Sequence, residues 1–209
     1  MTPVVAWELI SADAAPPPLG EALERRFAAM KNPAVKAASA SAWALLYRVL
    51  RQLSLPVAEP AFGEHGKPYF PGSPVHFSLS HGNTVCAVSV SDAPTGVDTE
   101  PNARTFNARM IGRCLSKEEL SAFDGDFIRL WCRKECVAKL TGEGLWGYPA
   151  QISAFDPRFT FFETLLRLPE GEQRLTAAFS AAAAADHTTA PNAVLLLGPE
   201  ITDRKEIPL

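Results

Sequence analysis

Apolar residues along this chain recur with two rhythms, every second residue and every third or fourth, and the rhythms alternate. Val4 to Ile10 reads as a strand, followed by a turn-rich stretch from Asp13 to Pro18. Leu19 to Met30 has helical spacing. Asn32-Pro33 supplies an N-cap and a proline at the first helical position, and the helix it opens runs to about Leu53. Trp43, Leu46, Val49, Leu50 and Leu53 form its apolar face. A stretch punctuated by proline and glycine leads to Gly66-Lys67-Pro68-Tyr69-Phe70. Two strands follow, Val75 to Ser80 and Val85 to Ser91, joined around His81-Gly82-Asn83.

After a turn at Asp92 to Thr95 a similar order begins again. Gly96 to Glu100 reads as a strand and Arg104 to Cys114 as a helix. Ser116-Lys117-Glu118-Glu119 is a capping box opening a short helix, and Phe127 to Leu140 is a longer one stopped near Thr141-Gly142. Strands are expected over Ala150 to Phe155, Phe159 to Leu168, Arg174 to Phe179 and Ala193 to Leu197. The run Ala181 to Ala185 with Asp186 to Thr189 reads as a loop. The repeat is one of element order, without self-similar sequence. It predicts an α+β protein of two similar halves, residues 1–94 and 95–209, with a ligand cleft between them.

Bulk composition narrows the classes. An apolar fraction of 47% is enough for a core, and a net charge of −3 gives no general attraction to nucleic acid or an anionic membrane. A bound polyanion would therefore need local cationic patches. Cys86, Cys114, Cys132 and Cys136 form no CxxC pair and no zinc-ligand spacing, which predicts reduced, buried thiols. No basic region precedes an apolar run near Met1, and no apolar stretch approaches the ~20 residues of a membrane span. The expectation is a soluble cytoplasmic protein, with a monomer sufficient for the cleft.

Candidate chemistry centres on three carboxylates. Asp98 and Glu100 alternate in Gly96-Val97-Asp98-Thr99-Glu100, so they share one strand face. They read either as solvated acids on an edge strand or as two groups converging on a cation. Glu135 and Lys139, four apart on the helix after Trp131, read either as a surface ion pair or as part of the same site. Hard oxygen ligands beside a lysine suit Mg²⁺, or Mn²⁺, bound to a phosphorylated substrate. Lys134 is expected to partner a phosphate or an acid. Phe77-Ser78-Leu79-Ser80-His81-Gly82 ends a strand with groups suited to phosphate oxygens, or is a plain hairpin connection. Gly66-Lys67-Pro68 is a turn, or a rigid loop presenting Lys67. Neither a Walker loop nor a GxGxxG is present, which disfavours the common ATP and dinucleotide modes.

Taken in order, Gly66-Lys67-Pro68, Phe77-Ser78-Leu79-Ser80-His81, Gly96-Val97-Asp98-Thr99-Glu100 and Trp131-Cys132-Arg133-Lys134-Glu135-Cys136-Val137-Ala138-Lys139 resemble the 4′-phosphopantetheinyl transferase family, in its monomeric form with two similar halves. The resemblance implies halves related by a pseudo-twofold axis and transfer of the phosphopantetheine arm of coenzyme A to a serine of an apo acyl or peptidyl carrier protein, releasing adenosine 3′,5′-bisphosphate. It implies Asp98, Glu100 and Glu135 as metal ligands, and Lys139 on the diphosphate, catalytic together with Glu135 as the candidate base. It also implies cofactor contacts from Lys67, Pro68, Ser80, His81 and Lys134. Cys136 and Thr99 depart from the residues the family usually carries there. Ser39 stands where the family commonly has an arginine for the 3′-phosphate, which leaves Arg26, Lys31 and Lys36 as substitutes. Arg104, Arg109 and Arg113, with Phe106, Met110 and Ile111, form either a carrier-docking face or an ordinary amphipathic helix. The rival readings are a coenzyme A- or nucleotide-binding module without transfer, and a metal-dependent phosphohydrolase.

Overall fold

A computed structural model of the chain describes residues 1–18, 20–145, 148–180, 193–198 and 205–208. The elements run β1 (Val4–Leu9), α1 (Glu21–Ala29), α2 (Pro33–Gln52), β2 (Ala61–Phe62), β3 (Pro68–Tyr69), β4 (His76–His81), β5 (Val85–Ser91) and β6 (Thr95–Pro101). They continue with α3 (Ala108–Cys114), α4 (Lys117–Ser121), α5 (Phe127–Thr141), β7 (Phe159–Leu168), β8 (Gly171–Ser180), β9 (Ala193–Leu197) and β10 (Lys205–Pro208). This is a mixed α and β fold, as expected. Its strands form a five-stranded sheet ordered β10-β9-β1-β5-β4, a three-stranded sheet ordered β6-β8-β7, and the short β2-β3 pair.

Side-chain alternation stacks the two larger sheets between the two long helices. On β5, Cys86, Val88 and Val90 join Phe77 of β4 and Trp43, Leu46, Val49 and Leu50 of α2 in one buried cluster. The alternate residues of β5, Val85 and Ala87, turn the other way with Val5 of β1 and meet Val97, Phe162, Leu175, Ala177 and Phe179 of the second sheet. The outer face of that sheet, through Ala178, receives Cys136 and Leu140 of α5. A strand buried on both faces loses the polar alternation of a half-exposed one, which is why β5 reads Val-Cys-Ala-Val-Ser-Val-Ser.

Small hydroxyls join the two sheets. β6 is an edge strand, and edge amides need partners when they are buried. The Val97 amide donates to Ser78 Oγ at 3.1 Å and the Thr99 amide to Ser80 Oγ at 3.3 Å. Thr95 Oγ1 donates to Ser89 Oγ at 2.9 Å. The serines that alternate with Phe77 and Leu79 on β4 are therefore a ladder that closes the seam.

Several boundaries follow their caps closely. Asn32 accepts from Ala34 and Val35 amides, the Ser116–Glu119 capping box forms, and Gly142 ends α5 in the left-handed region at φ 80°. Other expectations need correcting. The helix expected from Arg104 starts at Ala108, because a turn closes from Arg104 N–H to the Pro101 carbonyl and Asn107 then caps α3. No strand covers Ala150 to Phe155; the segment makes a short 3₁₀ turn at Pro149–Gln151. Its backbone groups bond to side chains instead of a ladder, the Pro149 and Ile152 carbonyls to Lys134 and the Ala154 amide to Glu119. In the first sheet β9 pairs parallel with β1 and β10 pairs antiparallel with β9, so the last strands of the chain join the first one. The loop expected from Ala181 to Thr189 lies outside the described residues.

Candidate active site

Gly96, Asp98 and Glu100 share the face of β6 that looks toward α5, and Gly96 sets how close the helix comes. A Cβ at Gly96 would lie 1.9 Å from the Cys136 carbonyl oxygen, so any other residue would push α5 off the strand. That close approach brings the helical row Trp131, Glu135 and Lys139 over the two acids.

Lys139 ties the arrangement together. Its Nζ donates to Asp98 Oδ1 at 2.7 Å, to Ser80 Oγ at 3.0 Å and to the Val97 carbonyl at 3.0 Å. Ser80 Oγ in turn donates to Asp98 Oδ1 at 3.0 Å, so with Lys139 and the Thr99 amide its hydrogen-bonding capacity is filled. Burial opposes the charged form of Lys139, but Asp98 and Glu135 outweigh it and hold the ammonium above the ordinary lysine range. Asp98 is buried, and its Oδ2 has no hydrogen-bond partner. Glu100 accepts from Trp131 Nε1 at 3.3 Å and pairs with Arg104. Glu135 is half-buried, and its carboxyl is pushed up to about 7 by burial first and then by the charge of Asp98, with Glu100 adding to both and Lys139 opposing.

Asp98, Glu100, Glu135, Lys139, Ser80 and His81 line one recess of about 320 Å³. Through Leu79, His81, Glu135 and Lys139 it adjoins a second cavity of about 310 Å³. This larger-walled space lies between α2, β4, the β2–β3 hairpin and α5. It contains Lys67 and Pro68, as the sequence predicts, together with Arg26, Met30, Ser39, Trp43, Phe62 and His65. Glu135 is the one acid among its described lining residues, against Arg26, Lys67 and Lys139. Lys67 Nζ donates to the Leu140 carbonyl at 2.6 Å, where it meets the negative end of α5. Burial pulls the Lys67 ammonium down to about 8.

Lys134 is the correction among the expected cofactor contacts. It lies on the opposite side of α5 from the cavity, with no exposed surface, and donates to Glu119 Oε2 at 2.7 Å and to two carbonyls of the 149–152 segment. Of the two partners the sequence allowed, it takes the acid. Of the possible substitutes for an arginine at position 39, Arg26 lines the cavity, while Lys31 and Lys36 are exposed and do not. Phe62 was missed by sequence reasoning. It is the aromatic of the stretch between Pro60 and Gly63, and Arg26 stacks over its ring at 4.7 Å.

The residues of the expected docking face are divided. Ile111 and Phe106 turn inward and pack with Phe127 and Leu115, Phe106 stacking on Phe127 at 4.7 Å. Arg109, Met110 and Arg113 stay exposed and line a groove of about 650 Å³ floored by Trp131, Leu145 and Pro149.

Residues 94–189 match the model of the 4′-phosphopantetheinyl transferase superfamily. The matched segment carries Asp98, Glu100, Glu135 and Lys139, while Lys67, Pro68, Ser80, His81 and Arg26 precede it. The chain is similar to the 4′-phosphopantetheinyl transferase AcpT of Salmonella typhi, 32% identical over 47% of this chain and 58% of that protein. It is 33% identical to AcpT of Escherichia coli K12 over 44% of this chain and 52% of the relative. To 4′-phosphopantetheinyl transferase psf-1 of Bacillus pumilus it is 30% identical over 61% of this chain and 59% of the relative. The matches thus span between half and three fifths of the length of these transferases.

Proposed function

We propose that the protein transfers the phosphopantetheine arm of coenzyme A to a serine hydroxyl of an acyl or peptidyl carrier protein. The observation that carries this reading is the convergence of Asp98, Glu100, Glu135 and Lys139 on one recess that continues into a cationic, aromatic-walled cavity. A diphosphate bridging the two spaces would meet Lys139 and Lys67, with the nucleotide end against Phe62 and Trp43.

The acids also fit a divalent cation. Among the described residues no group of three or more His, Cys, Asp or Glu side chains is arranged to hold a metal as it stands. The donor chemistry nevertheless suits one. Asp98 Oδ2 is a buried carboxylate oxygen without a donor, and three carboxylates line one recess with one lysine. Asp98, Glu100 and Glu135 would hold Mg²⁺ or Mn²⁺, which would neutralise charge developing on the diphosphate oxygens.

In the reaction, the serine oxygen forms a bond to the pantetheine-side phosphorus while the bond from that phosphorus to the bridging oxygen breaks. Adenosine 3′,5′-bisphosphate leaves. Lys139, held by Ser80 and the Val97 carbonyl, is placed to stabilise the departing phosphate by its charge and by exchanging its bond to Asp98 for one to the phosphate. The serine proton needs an acceptor, and the Glu135 carboxylate takes no hydrogen bond from any described residue. Ser80 acts in this reading by fixing Asp98 and Lys139, and His81 by lining the junction of the two spaces.

Two features of the architecture support a chain built from two related halves. Both sheets order their first three strands first, last, middle, as β1-β5-β4 and β6-β8-β7. Each also packs its long helix on the outer face. The pseudo-twofold relation is proposed on that basis, with β9 and β10 as an addition to the first sheet.

Incubation with coenzyme A, Mg²⁺ and apo carrier proteins should raise the carrier mass by one phosphopantetheine, and Asp98→Ala should abolish the gain. Loss of coenzyme A without a heavier carrier would show hydrolysis instead, and retention of activity in Asp98→Ala would overturn the site. Arg26 provides a second test. Its guanidinium, stacked on Phe62, forms no ion pair with a described residue and lines the same cavity as Lys139. It is assigned to the 3′-phosphate, in place of a cation at Ser39. Arg26→Gln is expected to raise KM for coenzyme A by roughly tenfold, the scale of one charged hydrogen bond. KM for 3′-dephospho-coenzyme A should stay unchanged; an equal rise for both would remove the assignment.

A further inference from the structure

We propose that Arg104 is a latch on Glu100, which a divalent cation must displace before the recess is loaded. The inference rests on reading Asp98, Glu100 and Glu135 as the metal-holding acids. Three observations place the latch. The chain leaves β6 through a turn closed by Arg104 N–H on the Pro101 carbonyl, which folds Arg104 back over the strand end. The guanidinium then contacts Glu100 Oε1, the same oxygen that accepts from Trp131 Nε1. On its other side the guanidinium stacks over Phe106 at 4.7 Å, and Phe106 is itself packed on Trp131.

Such a clamp pre-pays the ordering of a long side chain, so the pair is better held than an ordinary exposed one. It also has a consequence for the neighbouring groove. Trp131, which donates to Glu100 and packs on Phe106, also floors the groove lined by Arg109 and Arg113, so a cation taking Glu100 would free a third guanidinium on the side of that groove. Cation loading and the basic character of that surface are thereby coupled through one side chain.

The test is Mn²⁺ binding, followed by electron paramagnetic resonance with and without coenzyme A, in the full chain. Arg104→Gln is expected to tighten the Mn²⁺ Kd about fivefold, the scale of losing one partly exposed ion-pair competitor. Phe106→Leu, which removes the stack on Arg104 together with the ring contacts to Phe127 and Trp131 but keeps the ion pair, should tighten it less. Arg109→Gln, which removes an equal charge from the groove, should leave it unchanged. An unchanged or weaker Kd in Arg104→Gln overturns the latch, as does an equal effect of Arg109→Gln, which would mean a general electrostatic field. Asp98→Asn separates the two levels. If it binds Mn²⁺ as well as the wild type does, the reading of the acids as metal ligands fails; if it loses Mn²⁺ while Arg104→Gln changes nothing, the latch alone fails.

Discussion

Lys139→Met is expected to lower kcat for phosphopantetheine transfer by 10² to 10³, the effect typical of losing one preorganised group at a developing anionic oxygen. The side chain keeps roughly the length and apolar character of the lysine stem, so packing against α5 and β6 is largely retained. What it loses is three donated hydrogen bonds, to Asp98, Ser80 and the Val97 carbonyl. Asp98 is then a buried carboxylate left with the Ser80 hydroxyl and the weakly donating Cys132 thiol, and part of the penalty falls on folding rather than on catalysis. A urea melt separates the two, since stability loss shifts the midpoint while the catalytic loss persists at low urea. Lys139→Arg should recover little, because a planar fork does not reproduce the three directions the ammonium serves. Wild-type kcat in Lys139→Met would mean that the lysine is a structural tie and that charge at the diphosphate is met elsewhere.

The strand acids and the helical row were legible because both depend on local periodicity. Residues two apart on β6 and four apart on α5 share a face whatever surrounds them. Gly96 could be seen as part of a motif, but its reason lies in the approach of α5, which is a contact 40 residues away in sequence. The serines of β4 were open between phosphate ligation and a hairpin, and the structure gives them a third role at the edge of β6. No sequence pattern reports which edge amides a hydroxyl will satisfy. Phe62 was hidden for a similar reason, and Arg26 could be offered only as one of three cations: the two meet only when the β2–β3 hairpin folds over α1, and a two-residue strand carries almost no periodic signal. β9 joins β1 across nearly the whole chain, so the symmetric division at residue 94 could not anticipate it.

Lys134 shows how one motif can mix chemistry with architecture. It sits between Arg133 and Glu135, yet helical geometry turns it away from the recess and into a fully buried pair with Glu119. Every hydrogen of its ammonium is used, by Glu119, the Pro149 carbonyl and the Ile152 carbonyl. Glu119 is equally committed, accepting also from the Ser116 and Ala154 amides. Burial lowers the Lys134 pKa, and raises that of Glu119, but in Glu119 the Ala154 amide and Lys134 prevail and the carboxyl stays below its ordinary range. Lys134→Met is therefore expected to cost about 3–5 kcal/mol, because it leaves Glu119 charged or forces it to protonate without a partner, and strands two carbonyls. That is a large part of the 5–15 kcal/mol typical of a folded domain. The loss should grow with pH above the ordinary glutamate range, where the unpaired carboxylate is ionised, and shrink in mild acid. Adding Glu119→Gln to Lys134→Met should return part of the stability, since a neutral amide removes the unpaired charge and its one oxygen can still accept from either the Ser116 or the Ala154 amide. Urea unfolding of the two variants and the wild type at two pH values measures this, and coenzyme A KM in the folded fraction should match wild type. A variant with normal stability and a raised KM would instead return Lys134 to the cofactor site.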